Sequence, residues 1–166
     1  MRKTSAPPRR ERSPRLRPGT LADAGAIAHV FRRAVLEGAR DHYTQEQRAA
    51  WAGPPSGVAR WRTRLSGLRI FVAETDVEIV GFMTLARSGL LDHAFVLPEH
   101  RGTGVALALY RKLEDTARGL GLARLHSDAS HLARPFFKRQ GWVLCRKKTV
   151  TIRGVALTNF RMEKRL

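Results

Sequence analysis

The sequence predicts an α/β fold with a mixed, mostly antiparallel central sheet and helices on both faces. Stretches with strand and helix periodicity alternate along the chain, and the first and last strand pairs are spaced as antiparallel hairpins. The length of 166 residues and the 43% hydrophobic share are typical of one globular domain. Helices between the inner strands then cover a sheet that begins and ends with antiparallel pairs.

The N-terminus differs in composition from the rest of the chain. Residues 1–13 are rich in Pro and Arg and are predicted to form a disordered basic tail, whereas residues 14–166 form a single domain. Residues 1–17 contribute +6 to a formal net charge of +17. Such a tail can bind polyanions weakly, so a nucleic-acid-binding protein that uses this basic arm is an alternative interpretation.

Capping signals define the helices of the first half, which follow a first strand near Arg17 and Pro18. A Ser or Thr hydroxyl before a helix accepts from backbone N–H groups of the first turn, and an acidic or amide side chain three residues on can reciprocate. Three helices are predicted on this ground: one over about 21–39 after a Thr20–Asp23 capping box, a second that begins with a Thr44–Gln47 box and ends at Gly53, and a third that Ser56 caps.

The pattern of the second half predicts a β-hairpin, then alternating strands and helices, and a final pair of strands. The predicted elements are strands at 70–74 and 78–83, a strand near 89–97, a helix near 103–119, a strand at 123–128, a helix at 131–140, and strands near 142–150 and 154–163.

A glycine-rich corner joins the apolar strand that ends at Val96 to the long helix. Gly102, Thr103 and Gly104 leave the backbone N–H groups of the first helical turn uncovered, and Arg101 adds a positive charge. Together with the helix dipole, these groups predict a pyrophosphate site. The nucleotide P-loop is excluded because Val105 and its neighbour stand where that motif needs Lys and Ser/Thr.

Arg101, Gly104 and Ala106 follow the pattern Arg/Gln-x-x-Gly-x-Gly/Ala. This pattern resembles the coenzyme A pyrophosphate loop of the GNAT superfamily of acyl-CoA-dependent N-acetyltransferases. Residues 133–142 resemble the closing motif of that family, a helix that ends at a Gly followed by an aromatic residue.

The resemblance implies a GNAT-like acyl-CoA N-acyltransferase fold, in which two central parallel strands splay apart at the Val96 and Asp128 ends. It implies that acetyl-CoA is the cosubstrate and that its pantetheine arm pairs with the strand that ends at Val96. The implied coenzyme-binding residues are Phe95, Val96, Arg101, Gly102, Thr103, Gly104, Val105, Ala106, Ser130 and Phe137. The sequence has no Cys/His cluster and no His-Glu-x-x-His motif, so no metal is expected.

Acetyl transfer to an amine needs a base for an ammonium substrate and a donor for the developing oxyanion. Asp92, His93 and Asp128 are the candidate bases, and strand alternation is expected to send Asp92 and His93 to opposite faces. A backbone N–H near Val96 can serve as the oxyanion donor. Phe137 stands where many family members have a Tyr that protonates the leaving thiolate.

The loss of that Tyr leaves two interpretations. Either Tyr43 supplies the proton instead, or the protein is a non-catalytic acyl-CoA sensor. The other tyrosine, Tyr110, lies on the long helix and is expected to be structural.

The acceptor is expected to be an amine of a small molecule or of a protein. In this family the segment after the first strand walls the acceptor pocket, so residues 40–43 and Trp51 are pocket candidates. The basic surface favours neutral or anionic amines over strongly cationic ones.

The remaining expectations concern location and assembly. A cytoplasmic protein that does not bind membranes is expected, because there is no secretory signal and no apolar stretch of about 20 residues. A single cysteine, Cys145, is expected to be a buried, inert thiol in a strand. For the oligomeric state, both a monomer and a homodimer are compatible with the sequence.

Overall fold

Seven strands and five α-helices occupy residues 13–166, the part of the chain that this computed structural model describes. The predicted tail, apart from Ser13, lies outside the described residues. In chain order the elements are β1 (Arg15–Pro18), α1 (Ala24–Leu36), α2 (Gln45–Ala52), α3 (Val58–Leu65), β2 (Arg69–Glu74), β3 (Ile79–Leu85), β4 (Leu91–Val96), α4 (Val105–Gly119), β5 (Arg124–Ala129), α5 (Ala133–Arg139), β6 (Val143–Ile152) and β7 (Val155–Arg165). Short 3₁₀ turns at Leu21–Asp23 and Pro98–His100 precede α1 and α4.

The strands form two antiparallel sheets that meet at one parallel bridge. The first sheet has the order β1-β2-β3-β4 and the second the order β5-β7-β6. Leu90 and His126 form the parallel bridge between them, and the His126 N–H donates to the Gly89 carbonyl at 3.0 Å. Beyond this bridge β4 and β5 no longer pair. The mixed, mostly antiparallel sheet with two splayed parallel strands is therefore confirmed.

Helices cover both faces of the first sheet. All seven residues of β3 are buried, as expected for a strand between two helical layers. An added Cβ at Gly81 would lie 3.2 Å from Cδ1 of Leu109 on α4, whereas the neighbouring Phe82 ring faces Trp61 of α3 at 6.3 Å between centroids. Gly81 thus permits the close approach of α4, and the aromatic residues fill the opposite face.

Two of the three predicted caps are confirmed. The Asp23 carboxylate accepts from the Thr20 N–H at 2.8 Å, although this box begins a 3₁₀ turn before α1. The Thr44–Gln47 box begins α2 as predicted. The Ser56 cap is wrong, because α3 begins at Val58 and Gly57, which has no side chain, occupies the capping position.

The expectation that Cys145 is buried is also wrong. β6 is an edge strand, and its pairing with β7 passes from Leu144 directly to Arg146 on successive partners. Cys145 is the extra residue of this bulge and is exposed. Exposed apolar residues flank it at Val143 and Leu144.

Between Ser13 and the C-terminus, no helix combines the length and the apolar composition needed to cross a membrane.

Candidate active site

A β-bulge brings two of the candidate bases together. Ala94 pairs with Met83 and Leu91 pairs with Leu85, so Asp92 and His93 share a single partner on β3. Oδ2 of Asp92 lies 3.5 Å from Nδ1 of His93. The expectation that these side chains occupy opposite faces is therefore wrong, because the inserted residue interrupts the alternation of the strand.

The single residue opposite the bulge is Thr84, which is fully buried. Its hydroxyl oxygen accepts from the His93 backbone N–H at 3.2 Å and lies 2.9 Å from Nδ1 of the ring. Burial lowers the pKa of His93 below its ordinary value, and the nearby Asp92 carboxylate raises it in part. The imidazole is therefore neutral near pH 7 and able to accept a proton.

A cleft of about 290 Å³ opens where β4 and β5 diverge. It is called the β4–β5 cleft below, and its walls include six of the predicted site residues: Asp92, His93, Phe95, Asp128, Ser130 and Phe137. The structure thus brings the three candidate bases to one place, beside residues implied for coenzyme binding.

Asp128 differs from the other candidate bases in its partners. Lys148 donates to its carboxylate at 2.9 Å, and Nη1 of Arg161 lies 3.5 Å from the other oxygen. Both cations come from the β6–β7 hairpin. The Asp128 carboxylate is therefore engaged in ion pairs with two cations.

Two residues implied for coenzyme binding have structural partners in this cleft. The Ser130 hydroxyl accepts from the Ala133 N–H at 3.1 Å and so caps the entry to α5. Phe137 is buried, and its ring centroid lies 4.6 Å from that of Trp142. Because the side chain of Phe137 is a phenyl ring, no hydroxyl is available at this position.

Tyr43 lies in a smaller pocket of about 100 Å³ that shares Asp128 and Ser130 with the cleft. Its hydroxyl accepts from the His131 N–H at 2.9 Å and donates to the Thr158 carbonyl at 3.2 Å. Burial raises the pKa of Tyr43. The proton of this hydroxyl is thus directed at a backbone carbonyl.

Of the other pocket candidates, Trp51 borders both the smaller pocket and the β4–β5 cleft. Arg40, Asp41 and His42 are exposed and line neither, so their placement in the wall of the cleft is wrong. The turn after α1 directs Tyr43 inward and leaves its three predecessors in solvent.

Tyr110 is buried on α4, as its structural interpretation requires. Its hydroxyl accepts from Nε1 of Trp142 at 2.9 Å and from Nζ of Lys164 at 3.3 Å. Burial raises its pKa well above the usual range.

We expect Tyr110→Phe to lower the free energy of unfolding by about 1–3 kcal/mol, because the buried Trp142 N–H loses its acceptor.

We expect Tyr43→Phe to lower the free energy of unfolding by a similar amount, because the His131 N–H loses its acceptor, and to leave the pH profile of turnover unchanged. Urea denaturation and initial rates check both. Loss of the basic limb of the pH profile in Tyr43→Phe alone would instead make Tyr43 the general acid.

The glycine-rich corner lies between β4 and α4, where the sequence places it. Gly102 and Gly104 have φ of 74° and 90°, in the left-handed region that favours glycine. Within residues 13–166, the backbone N–H groups of residues 102–107 have no hydrogen-bond acceptor, and the first bond of this helix runs from Ala108 to the Gly104 carbonyl. This row of donors at the positive end of α4 suits a diphosphate.

Arg101 is partly engaged elsewhere. Its Nη1 donates to the Gly38 carbonyl at 2.5 Å, just after α1. The guanidinium is thus held beside the corner by the end of α1, with its remaining N–H groups available to an anion.

The open edge of β4 lies between the corner and the cleft. The Leu97 N–H donates to the Val80 carbonyl at 2.8 Å, and Phe95 pairs with Phe82. In an antiparallel ladder, the residue between two such pairs directs its polar groups away from the partner strand. The Val96 N–H therefore faces the gap toward β5, where an extended chain can pair with it.

Comparison with known families agrees with this geometry. A family profile described as an acetyltransferase (GNAT) domain matches residues 39–164. The chain belongs to the GNAT acetyltransferase family. It is 34% identical over 140 residues to a protein named uncharacterized N-acetyltransferase YafP from Escherichia coli (strain K12), with 84% of this chain and 88% of that protein covered.

Solved GNAT structures share the fold. A GCN5-related N-acetyltransferase from Rhodopseudomonas palustris, whose description also reads "Aminotransferase, Class-II", is 34% identical with a TM-score of 0.87, covering 94% of this chain and 98% of its own. The PaiA N-acetyltransferase of Thermoplasma acidophilum, solved in complex with coenzyme A, is 16% identical with a TM-score of 0.74. The match covers 93% of this chain and all of that one, and at this identity it concerns the fold alone.

Several residues of this GNAT site were not singled out from the sequence. Thr84 sits opposite the bulge, and Lys148 and Arg161 pair with Asp128. The sequence around Thr84 does not indicate a bulge, because a bulge is determined by how two strands pair and not by one strand alone. The two cations come from a hairpin whose side chains alternate, and only its register with β5 places them at the cleft.

Proposed function

We propose that this protein is an acetyl-CoA-dependent N-acetyltransferase whose acceptor is a primary amine. The observation that carries the proposal is the unpaired row of N–H groups at residues 102–107, beside an open strand edge that leads into the β4–β5 cleft. Membership of the GNAT family and the coenzyme A complex of a protein with the same fold support it.

The residues present fit coenzyme A. Phosphate oxygens accept hydrogen bonds, and the N–H groups of residues 102–107 lack acceptors within the described chain. Gly102 and Gly104 have open space around the position of a Cβ, so no side chain shields these donors. The Val96 carbonyl, on the free edge of β4, would accept from an amide N–H of the pantetheine arm.

Bound acetyl-CoA supplies a thioester, an acyl group already activated toward an amine. His93, neutral because of its burial, would accept the proton of an ammonium acceptor directly or through a water molecule. Asp92 stabilises the resulting imidazolium from 3.5 Å. The Val96 N–H would donate to the oxygen on which negative charge develops.

The leaving thiolate does not require a dedicated acid. A thiol has a pKa near 8.5, so its anion is a tolerable leaving group near neutral pH, and water can return the proton. Positioning of two substrates can contribute about 7–11 kcal/mol by itself, whereas general acid catalysis contributes roughly 10²- to 10⁴-fold. Phe137 is therefore compatible with turnover. Tyr43, with both sides of its hydroxyl occupied, is assigned to holding the entry of α5 against β7.

Isothermal calorimetry and a thiol-release assay on the full chain test the proposal. We expect one acetyl-CoA to bind per chain and free coenzyme A to be released when a suitable primary amine is added. Binding without thiol release across a broad amine panel would favour the acyl-CoA sensor. A chain that binds no acetyl-CoA would contradict both interpretations.

A further inference from the structure

Arg64 lies at the β4–β5 cleft without a carboxylate partner. Its guanidinium carbon is 4.8 Å from the ring centroid of Trp61 and 5.8 Å from that of Phe31. Among the described residues, no acceptor lies within hydrogen-bond distance of its N–H groups. Partial removal from water lowers the pKa of Arg64, the positive charge of Arg60 lowers it further, and Asp92 raises it. The arginine nevertheless stays cationic, because a guanidinium group is not deprotonated in proteins near neutral pH.

Arg153 reaches the same cleft from the β6–β7 turn. Its Nη1 donates to the Ala50 carbonyl at 2.7 Å at the end of α2, which fixes the side chain. The guanidinium also lies against Gly53, where an added Cβ would be 2.5 Å from Nη2. Its backbone has a φ of 47°, the one left-handed non-glycine residue among those described. Arg153 is thus held in place with part of its donor fork unused.

Neither carboxylate of the cleft forms an ion pair with these arginines, and Asp92 acts on Arg64 only through its charge. Asp92 lies against His93, and Asp128 is paired with Lys148 and Arg161. Arg64 and Arg153 therefore line a space of about 290 Å³ as two cations with unused donors, of which Arg153 is held by a hydrogen bond. Two such guanidinium groups bind the planar or tetrahedral oxygens of an anion in bidentate fashion.

We infer that the amine acceptor carries an oxyanion group, a carboxylate or a phosphate, which Arg64 and Arg153 bind at the β4–β5 cleft. This inference rests on the proposed function and narrows its substrate class. The remaining walls near the arginines are the rings of Phe31, Trp51 and Phe95, which suit an acceptor with an apolar body. Amines without an anionic group would leave two cations unpaired beside them, and polycations would be repelled.

Matched acceptor pairs test the inference. Thiol release is measured with L-phenylalanine against L-phenylalaninamide and with O-phosphoethanolamine against ethanolamine. We expect the native protein to prefer the anionic member of at least one pair by tenfold or more in kcat/KM. The pair that shows the preference distinguishes carboxylate from phosphate. Equal or faster turnover of the members that lack an anionic group, in both pairs, would overturn the inference.

Variants of α3 provide the matched control. We expect Arg64→Gln to raise KM for the acceptor with an anionic group at least tenfold, with little change for its counterpart without that group or for acetyl-CoA, and Arg64→Lys to fall between. Arg62→Gln removes the same charge from the same helix outside the cleft and should leave the preference unchanged. An unchanged preference in Arg64→Gln, with a native melting curve, would overturn the role of Arg64.

Calorimetry distinguishes failure of the proposed function from failure of the inference about the acceptor. If the native chain does not bind acetyl-CoA, the proposed function fails. If it binds acetyl-CoA and acetylates amines without an anionic group as readily as those that carry one, only this inference fails. If no amine is acetylated, the four amines are titrated into the coenzyme A complex, and absence of binding by both anionic members overturns the inference.

Discussion

Replacing Gly104 with valine is expected to weaken acetyl-CoA binding by about 100-fold, equivalent to roughly 2.7 kcal/mol. Gly104 has a φ of 90°, a conformation in which a β-branched residue is strongly disfavoured. The substitution would shift the backbone that aims the N–H groups of residues 102–107, and the new side chain would project into the space around them. Calorimetric titration with acetyl-CoA measures the change.

Gly121→Val is the matched control. Gly121 has a φ of 71°, lies just beyond the C-terminal end of α4 and also has open space around the position of a Cβ. Both variants should lose about 1–3 kcal/mol of unfolding free energy through backbone strain. Equal loss of acetyl-CoA affinity in the two variants would show that strain, rather than the donor row, is responsible.

Replacing His93 with glutamine is expected to lower kcat by roughly 10²- to 10⁴-fold, the usual contribution of a general base. Because the base must be unprotonated, activity should rise with pH through the pKa of His93, which burial places below its ordinary value of 6.5. The acidic limb of the pH profile should therefore lie below pH 6.5 in the native protein and disappear in His93→Gln. Initial rates between pH 5 and 9 measure both effects, and unchanged acetyl-CoA affinity serves as the control.

The Asp92→Asn variant distinguishes the catalytic role of Asp92 from that of His93. Its negative charge raises the pKa of His93, so its removal should move the acidic limb to still lower pH. The plateau rate should fall by less than in His93→Gln, because a less basic imidazole remains. If Asp92→Asn instead abolished turnover while His93→Gln retained it, Asp92 would be the base.

Sequence motifs were enough to predict the features of the fold that depend only on residues close together in the chain. The corner at residues 101–106 follows from the spacing of its glycines between a strand and a helix, and α4 begins directly after it at Val105. The Thr44–Gln47 capping box is likewise a contact across one turn. The divergence of β4 and β5 followed from the family resemblance carried by such local motifs.

The features that sequence reasoning missed depend on register between distant strands. The bulge at Asp92 and His93 exists because Thr84 is their common partner on β3. The bulge at Cys145 similarly depends on how β6 pairs with β7. For Asp92 and His93, strict alternation of side chains predicted opposite faces, and one inserted residue reverses that alternation. Cys145 was expected to be buried because it lies in a strand, but residues 143–147 of this edge strand are all exposed.

The acceptor side of the cleft combines residues from three separate regions. Arg64 comes from α3, Arg153 from the β6–β7 turn and Trp51 from α2. Trp51 was a pocket candidate from the sequence, but the two arginines are unremarkable in their own segments, because exposed arginines are abundant in a chain with 31 Lys and Arg residues. Only the packing of α2 and α3 against the splayed sheet shows that two of these arginines face one space.

A crystal structure of the protein with acetyl-CoA is the most direct test of how the coenzyme is held. We predict the diphosphate against the backbone N–H groups of residues 102–107, with the thioester carbonyl within hydrogen-bond distance of the Val96 N–H. Acetyl-CoA bound elsewhere, with no ligand at the start of α4, would contradict the proposed site and the chemistry assigned to it.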